Sequence, residues 1–171
     1  AVCGATEHHA VLHCVEHIGG TVVPVTSAGS VDPDVMRAVL TDLDNVAVVS
    51  VMAVNNETGA ISDLEHISHA VRRQAPDALF HTDAVQAACW IDLRTVWPYV
   101  DCLTLSAHKF GGPKGMGIMV LREGATLEPL ILGGGQERDR RSGTHNVAGI
   151  VGTATALDVT DATRTEEVAR L

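Results

Sequence analysis

The chain has 171 residues and a formal net charge of −9, and 46% of its residues are hydrophobic while only 3% are aromatic. It has no run of 18 apolar residues, so we expect no transmembrane helix and no membrane partner, and its negative charge disfavours direct binding of nucleic acid. The length allows one buried core, and the composition indicates an α/β interior packed with Val, Ala and Leu.

The first part of the chain alternates strand and helix signals. Residues 2–4 are typical of the end of a strand, and Thr6 is expected to cap an amphipathic helix that ends at Gly19 and Gly20. Residues 21–25 predict a short strand. Asp32 is the expected N-cap of a second helix that runs from Pro33 to about residue 43.

The middle of the chain repeats this alternation. Residues 45–54 are almost continuously apolar, as in a central parallel strand, and residues 55–59 form the turn after it. Residues 63–73 predict an amphipathic helix, and residues 79–81 a strand that brings the chain to Asp83. The alternation therefore predicts an α/β fold, with a mostly parallel sheet flanked by helices.

The last part of the chain contains strands, a glycine-rich loop and a long helix. Residues 100–105 and 117–121 predict strands, and residues 130–132 a further short one. Residues 133–144 form a loop rich in Gly and Arg. Apolar spacing over residues 146–171 predicts a long helix.

The stretch SAHKFGGPKGMG at residues 106–117 places polar groups at a strand end, where open α/β sheets bind ligands. Ser106 and His108 flank Lys109 with groups suited to an anion such as phosphate. Partial burial of Lys109 on a restrained loop would lower the pKa of its amine and make it nucleophilic. A solvated lysine in a glycine-rich loop is the alternative on spacing alone.

Asp83 lies at another strand end and precedes Lys109 by one strand–connector–strand unit. Enzymes that use pyridoxal phosphate need a lysine for a Schiff base and a carboxylate at the pyridine nitrogen, which keeps the ring protonated as an electron sink. The presence of both Asp83 and Lys109 therefore favours a Lys109 that binds pyridoxal phosphate over a Lys109 that is simply solvated.

Five motifs in order along the chain resemble the cysteine desulfurases, which are fold-type I pyridoxal phosphate enzymes of the class V aminotransferase superfamily. They are TEHHAV at residues 6–11, VNNETG at 54–59, HTDAVQ at 81–86, SAHKFGGPKGMG at 106–117, and GGGQER with RSGT at 133–144. This resemblance implies that residues 1–171 are part of the large, pyridoxal phosphate-binding transferase domain. Residues 146–171 would lead toward a small C-terminal domain absent from this chain.

The resemblance assigns catalytic roles to Lys109, which would bind the cofactor covalently and move the α-proton, and to His8, which would stack on its ring. Asp83 would pair with the pyridine nitrogen. The other residues that the resemblance implies for cofactor binding are Asn56 and Gln86 at the phenolic oxygen, Ser106 and His108 at the phosphate, and Thr144 at the phosphate of a partner subunit. No metal site is expected.

The implied activity is conversion of L-cysteine to L-alanine, with sulfur delivered as a persulfide for iron–sulfur cluster assembly or tRNA thiolation. The implied partners are a second copy of the chain, as a homodimer, and a sulfur-acceptor or scaffold protein, in the cytoplasm. In the family, the attacking cysteine and the arginine for the substrate carboxylate follow these residues. Two alternatives are a selenocysteine lyase or another class V enzyme, and a non-catalytic fragment that pairs with a partner chain.

Three further groups of residues have competing interpretations. His9, His13 and His17 share one helical face, which favours a solvated or helix-packing face over a metal site, because one straight helix cannot easily surround an ion. Arg138, Arg140 and Arg141 suit an anion or a partner's carboxylates, or form a basic surface loop. The scattered cysteines are expected to be small buried hydrophobic residues in a reducing compartment: Cys3, Cys14, Cys89 and Cys102.

Overall fold

The computed structural model describes residues 1–171 and contains one six-stranded sheet. Strands β1 to β5 are parallel, and β6 pairs antiparallel with β5 at one edge. The strand order across the sheet is β2-β1-β3-β4-β5-β6. The strands are β1 (Val2–Gly4), β2 (Thr21–Val23), β3 (Val48–Ser50), β4 (Leu79–Asp83), β5 (Cys102–Ser106) and β6 (Gly117–Leu121).

Seven α-helices and two short 3₁₀ segments connect and follow the strands, so the predicted α/β architecture with a mostly parallel sheet is confirmed. The 3₁₀ segments are Trp97–Tyr99 and Ala107–Phe110. The α-helices are α1 (His9–His17), α2 (Pro33–Thr41), α3 (Leu64–Gln74), α4 (Ala87–Trp90), α5 (Leu93–Val96), α6 (Gln136–Asp139) and α7 (Val147–Arg170).

The helix caps follow local side-chain chemistry. Asp32 accepts hydrogen bonds from the amides of Asp34 and Val35 at the start of α2, as predicted. The prediction that Thr6 caps α1 is wrong: His8 is the N-cap, and its Nδ1 accepts from the amide of Ala10. The Thr6 hydroxyl instead donates to the carbonyl oxygen of Gly29.

Three other expectations also differ from the structure. The apolar run at residues 45–54 contains only a three-residue strand, because the chain continues past Ser50 as irregular backbone that still donates to β4. Residues 130–132 do not form a strand, and Leu130 is 98% exposed. Cys3 and Cys102 are buried as expected, but Cys89 is only half-buried and Cys14 is exposed.

The core lies around the parallel strands. Phe80, Ile67 and Met36 are among its largest fully buried side chains, from β4, α3 and α2. Residues 80 and 82 point to one face of β4, so residues 81 and 83 point to the other. Polar side chains on that second face are therefore available for a site at the end of the strand.

The long helix α7 is fastened to the rest of the domain by polar contacts. Arg164 is buried, and its Nε donates to the carbonyl oxygen of Ala88 in α4 at 2.9 Å, while an Nη donates to Asp161 at 2.7 Å. The Thr160 hydroxyl shares its one proton between the carbonyl oxygen of Ala156 in the same helix, at 2.9 Å, and that of Phe110, at 3.3 Å. Helix α7 is therefore tied to the turn that contains Lys109. The structure contains no helix long and apolar enough to cross a membrane.

Candidate active site

Four of the parallel strands end at the same edge of the sheet, and each has a predicted site residue at its end or in the segment that follows. His8 follows β1, Asn56 follows β3, Asp83 ends β4, and Lys109 follows β5. The strands β1, β3, β4 and β5 are consecutive neighbours. Because parallel strands share the direction of their carboxyl ends, these residues lie along one rim, where α/β sheets bind ligands.

Asp83 is a buried acid at this rim. Its side chain is 7% exposed, and its Oδ1 accepts a hydrogen bond from the amide of Val85 at 2.9 Å. Oδ2 accepts no hydrogen bond from the protein. Across the β4–β5 pair, Asp83 is opposite Thr104, two residues before the end of β5. Asp83 and the Lys109 turn therefore belong to adjacent strand ends.

The backbone of the Lys109 turn is restrained on several sides. Gly111 ends the 3₁₀ turn with a φ of +82°, and a Cβ on Gly112 would come within 2.9 Å of the Ala107 Cβ, so glycine is required at both positions. The Cys89 thiol contacts the carbonyl oxygen of Lys109 at 3.4 Å. The backbone is fixed, but the Lys109 side chain is exposed and not partly buried as the sequence suggested.

Ser106 and His108 lie on the same turn. Ser106 Oγ and His108 Nδ1 are 2.8 Å apart, and the His108 side chain is exposed. Their spacing of two residues brings a hydroxyl and an imidazole together at the end of β5. Because the two groups share one hydrogen bond, a neutral imidazole leaves one donor of the pair free for an anionic oxygen.

The two adjacent asparagines after β3 have different surroundings. Asn55 Nδ2 donates to the carbonyl oxygen of Thr6 at 2.8 Å, and its Oδ1 accepts from the amides of Glu57 and Thr58. Asn56 is exposed, and its side chain makes no hydrogen bond with the protein. Asn55 therefore holds the turn against the segment that precedes His8, which leaves the amide of Asn56 available to a ligand.

The other two predicted cofactor-binding residues, Gln86 and Thr144, lie next to helices and not directly at a strand end. Gln86 is half-buried immediately before α4, and Thr144 is exposed just before α7. Arg138, Arg140 and Arg141 line one open cavity beside β6 together with Glu137, and Arg141 pairs with Glu137 at 3.3 Å and also donates to the carbonyl oxygen of Gly143. The backbone around Glu137 and Arg138 is left-handed, with φ values of 51° and 58°.

The structure also reveals a polar group that sequence reasoning missed. Glu7, immediately before His8, is 6% exposed and accepts hydrogen bonds from the Met52 amide and the Ser50 hydroxyl. Burial raises the pKa of Glu7 to about 7, and the nearby charge of Asp83 acts in the same direction. The available sequence signals were the acid next to His8 and the Ser in an otherwise apolar run.

Comparisons with known proteins agree with this arrangement. The family described as "Aminotransferase class-V" matches residues 1–171. The chain is 40% identical over 175 residues to "Cysteine desulfurase IscS" of Dictyoglomus turgidum, and this match covers 99% of the chain and 43% of the relative. It is 43% identical over 164 residues to "Cysteine desulfurase" of Cereibacter sphaeroides, covering 92% and 41% respectively.

Solved structures give the same result. A structure titled "NIFS-LIKE PROTEIN" superposes with a TM-score of 0.85 at 40% identity, over 96% of this chain and 46% of that one. The NifS-like protein from Rickettsia africae has a TM-score of 0.87 at 29% identity. The chain thus spans less than half the length of the relatives it matches. Because the family match extends over every residue of the fold described above, the chain belongs to the class-V aminotransferase family.

Proposed function

We propose that the full-length protein is a pyridoxal phosphate-dependent cysteine desulfurase. The observation on which this rests is the position of Asp83 and Lys109 at the carboxyl ends of adjacent parallel strands, with His8 on the same rim. The identity of about 40% to cysteine desulfurases over nearly the whole chain supports the same reaction. The proposed products are L-alanine and a persulfide.

The residues present fit the cofactor. Asp83 is a buried carboxylate with one oxygen still able to accept a hydrogen bond, as the ring nitrogen requires. Ser106 and His108 together provide a donor for a phosphate, and the glycines after Lys109 keep its turn free of side chains. The proposed contacts are Lys109 at the aldehyde, Asp83 at the ring nitrogen, His8 at the ring face, Asn56 and Gln86 at the phenolic oxygen, and Ser106 and His108 at the phosphate.

Pyridoxal phosphate, when bound, supplies an electron sink for bond cleavage next to the substrate amine. In the proposed reaction, the Lys109 amine takes the proton from the substrate α-carbon and returns protons to the product. Asp83 keeps its negative charge facing the ring nitrogen and so holds a proton there. His8 orients the ring from one side.

The sulfur balance of the proposed reaction needs one thiol of the protein. The C–S bond of L-cysteine breaks, the sulfur atom bonds to that thiol as a persulfide, and the carbon left behind takes a proton to give L-alanine. We assign this role to none of the four cysteines described here. Cys3 and Cys102 are buried in the sheet, and Cys14 and Cys89 lie within helices α1 and α4 and not in a loop. The resemblance assigns it to a cysteine later in the full-length protein.

A homodimer in the cytoplasm, serving a sulfur-acceptor or scaffold protein, completes the proposal. Thr144 is exposed in the loop before α7 and is available to a second subunit's cofactor phosphate. Leu130 and Leu132 in the same region are 98% and 80% exposed, as expected of an apolar surface covered by another part of the protein or a second copy. The four cysteines are unpaired, in agreement with a reducing compartment.

The two lysines of the chain provide a matched test. They are Lys109 and Lys114, both exposed and five residues apart in the glycine-rich segment after β5. After borohydride reduction of the full-length protein, mass spectrometry is expected to find the pyridoxyl group on Lys109. Lys114→Ala should keep this adduct and the visible absorption of the bound cofactor, and Lys109→Ala should lose both.

A pyridoxyl group on Lys114, or one that persists in Lys109→Ala, would contradict the assignment of Lys109. Alanine release is then measured with L-cysteine and with L-selenocysteine. Release from selenocysteine alone would replace the proposed reaction by that of a selenocysteine lyase. Cofactor binding without alanine release from either substrate would contradict both.

A further inference from the structure

A continuous row of polar side chains crosses the sheet beneath the candidate site. The Ser50 hydroxyl lies 3.2 Å from Glu7 Oε2 and 2.8 Å from His81 Nδ1. On the other side of the ring, His81 Nε2 lies 2.9 Å from the Thr104 hydroxyl. Four side chains from the β1–α1 connection and from strands β3, β4 and β5 therefore form one hydrogen-bonded chain, which we call the Glu7–Thr104 relay.

The relay lies on the face of the sheet that contains Asp83. His81 and Asp83 are two residues apart on β4, and side chains two residues apart in a strand share a face. Ser50 is paired with His81, and Thr104 is paired with Asp83, in the parallel register. Glu7 and Ser50 are buried, so the relay is shielded from water at that end.

The polarity of the relay follows from hydrogen counting. The Met52 amide donates to Glu7 Oε1, which makes Oε1 an acceptor. When Glu7 is ionised, Oε2 is also an acceptor and the single Ser50 proton points to it. Ser50 Oγ must then accept from His81 Nδ1–H, and Nε2 of a neutral ring accepts from the Thr104 hydroxyl.

Protonation of Glu7 reverses every one of these bonds. The proton resides on Oε2 because Oε1 is occupied by the Met52 amide, and Oε2 then donates to Ser50. Ser50 in turn donates to His81 Nδ1, so the ring proton is on Nε2 and is donated to the Thr104 oxygen. The Thr104 proton becomes available to another acceptor on this face of the sheet.

We propose that Glu7 is a positioning residue whose carboxyl group determines, through Ser50, which ring nitrogen of His81 holds the proton and thus how the Thr104 hydroxyl is oriented beside Asp83. Glu7 touches neither substrate nor cofactor in this proposal. It acts through the relay, whose hydrogen bonds are made by protein side chains alone. The relevance of the relay to the reaction rests on the proposed function, whereas the existence of the relay does not.

The charges around Glu7 agree with a proton that is exchanged near neutral pH. Burial raises the pKa of Glu7 to about 7, assisted by Asp83 on β4 and opposed by the hydrogen bonds from Met52 and Ser50. Cys3 on β1 is a further titratable group nearby, and burial raises its pKa to about 11, so it remains a neutral thiol. Burial lowers the pKa of His81, which keeps the ring neutral while Glu7 titrates.

Nitrogen-15 NMR of the full-length protein without cofactor tests the relay, because the two neutral tautomers of histidine give distinct pairs of nitrogen shifts. The His81 signal is assigned by its loss in His81→Gln. In the wild-type protein we expect the Nδ1–H tautomer well above pH 7 and an increasing fraction of the Nε2–H tautomer as the pH falls through about 7. Glu7→Gln should show Nε2–H throughout, because its amide oxygen can accept from Met52 while its amide nitrogen donates to Ser50.

Ser50→Ala serves as the second variant, since it removes the link but leaves both ends in place. Its His81 tautomer should no longer change as Glu7 titrates. The proposal is overturned if the wild-type protein and Glu7→Gln have the same His81 tautomer above pH 7, or if Ser50→Ala retains the wild-type transition. Since no cofactor or substrate is present, this result is independent of the alanine-release assay that tests the proposed function.

Discussion

Replacement of Glu7 by Gln should change how the stability of the protein depends on pH. The ordinary pKa of a glutamate is 4.5, and burial raises that of Glu7 to about 7 in the folded protein. Between these two values the folded state binds a proton that the unfolded state has released, so the free energy of unfolding falls as the pH rises. The stabilising effect is complete below pH 4.5 and is lost as the pH passes through about 7.

The size of this effect follows from the same two values. A rise from 4.5 to about 7 corresponds to roughly 3 kcal/mol at about 1.4 kcal/mol per pH unit. The side chain of Glu7 is only 6% exposed, so screening by water reduces the value little. The amide of Gln preserves the shape and the hydrogen bonds but does not titrate, so Glu7→Gln should lose this pH dependence.

Urea unfolding of the full-length wild-type protein and Glu7→Gln, measured at matched pH values from 4 to 8 by circular dichroism, is the assay. The difference between the two proteins removes the contributions of titrating groups that they share. The wild-type protein should lose about 3 kcal/mol relative to Glu7→Gln across this range. A difference that stays constant, or that grows in favour of the wild-type protein as the pH rises, would refute the reasoning.

Two further pairs of substitutions test the packing of the domain. Phe80→Ala removes a fully buried ring from β4 and should lower the free energy of unfolding by about 3 to 5 kcal/mol. Phe80→Leu should lower it by less. Equal losses of the two variants in urea titrations would contradict the role of the ring. Arg164→Ala should cost roughly 2 to 3 kcal/mol, because its buried guanidinium bonds both Ala88 and Asp161. Arg94 also pairs with Asp161 but is exposed, so Arg94→Ala should hardly change the stability measured by thermal unfolding. A loss of stability as large as that of Arg164→Ala would contradict the importance of burial.

The order of elements could be predicted from the sequence because local signals were strong. Asp32 before Pro33 marked the start of α2, and the strands that end at Asp83 and Ser106 were read from apolar runs that stop at polar residues. Parallel pairing followed from the alternation of strands and helices. The rim on which Asp83 and Lys109 lie is a consequence of that pairing.

The errors concern contacts that no local pattern contains. Thr6 has the usual chemistry of a helix cap, yet its hydroxyl is taken by Gly29, 23 residues away, and His8 caps α1 instead. The apolar segment 130–132 suggested a strand but pairs with none.

The burial of Glu7 could not be predicted from the sequence for the same reason. The Glu7 carboxylate accepts hydrogen bonds from Ser50 and Met52, which are more than forty residues away in the chain. Only the fold brings these groups together, so neither composition nor spacing could have indicated that this acid is buried.

The contacts of α7 couple the position of this helix to the position of the Lys109 backbone. Thr160 binds the carbonyl oxygen of Phe110, one residue after Lys109, and Arg164 binds Ala88, one residue before the cysteine that contacts Lys109. A shift of this 24-residue helix along its axis would act on two segments that adjoin the backbone of Lys109. Whatever moves the far end of α7 therefore has a mechanical path to Lys109.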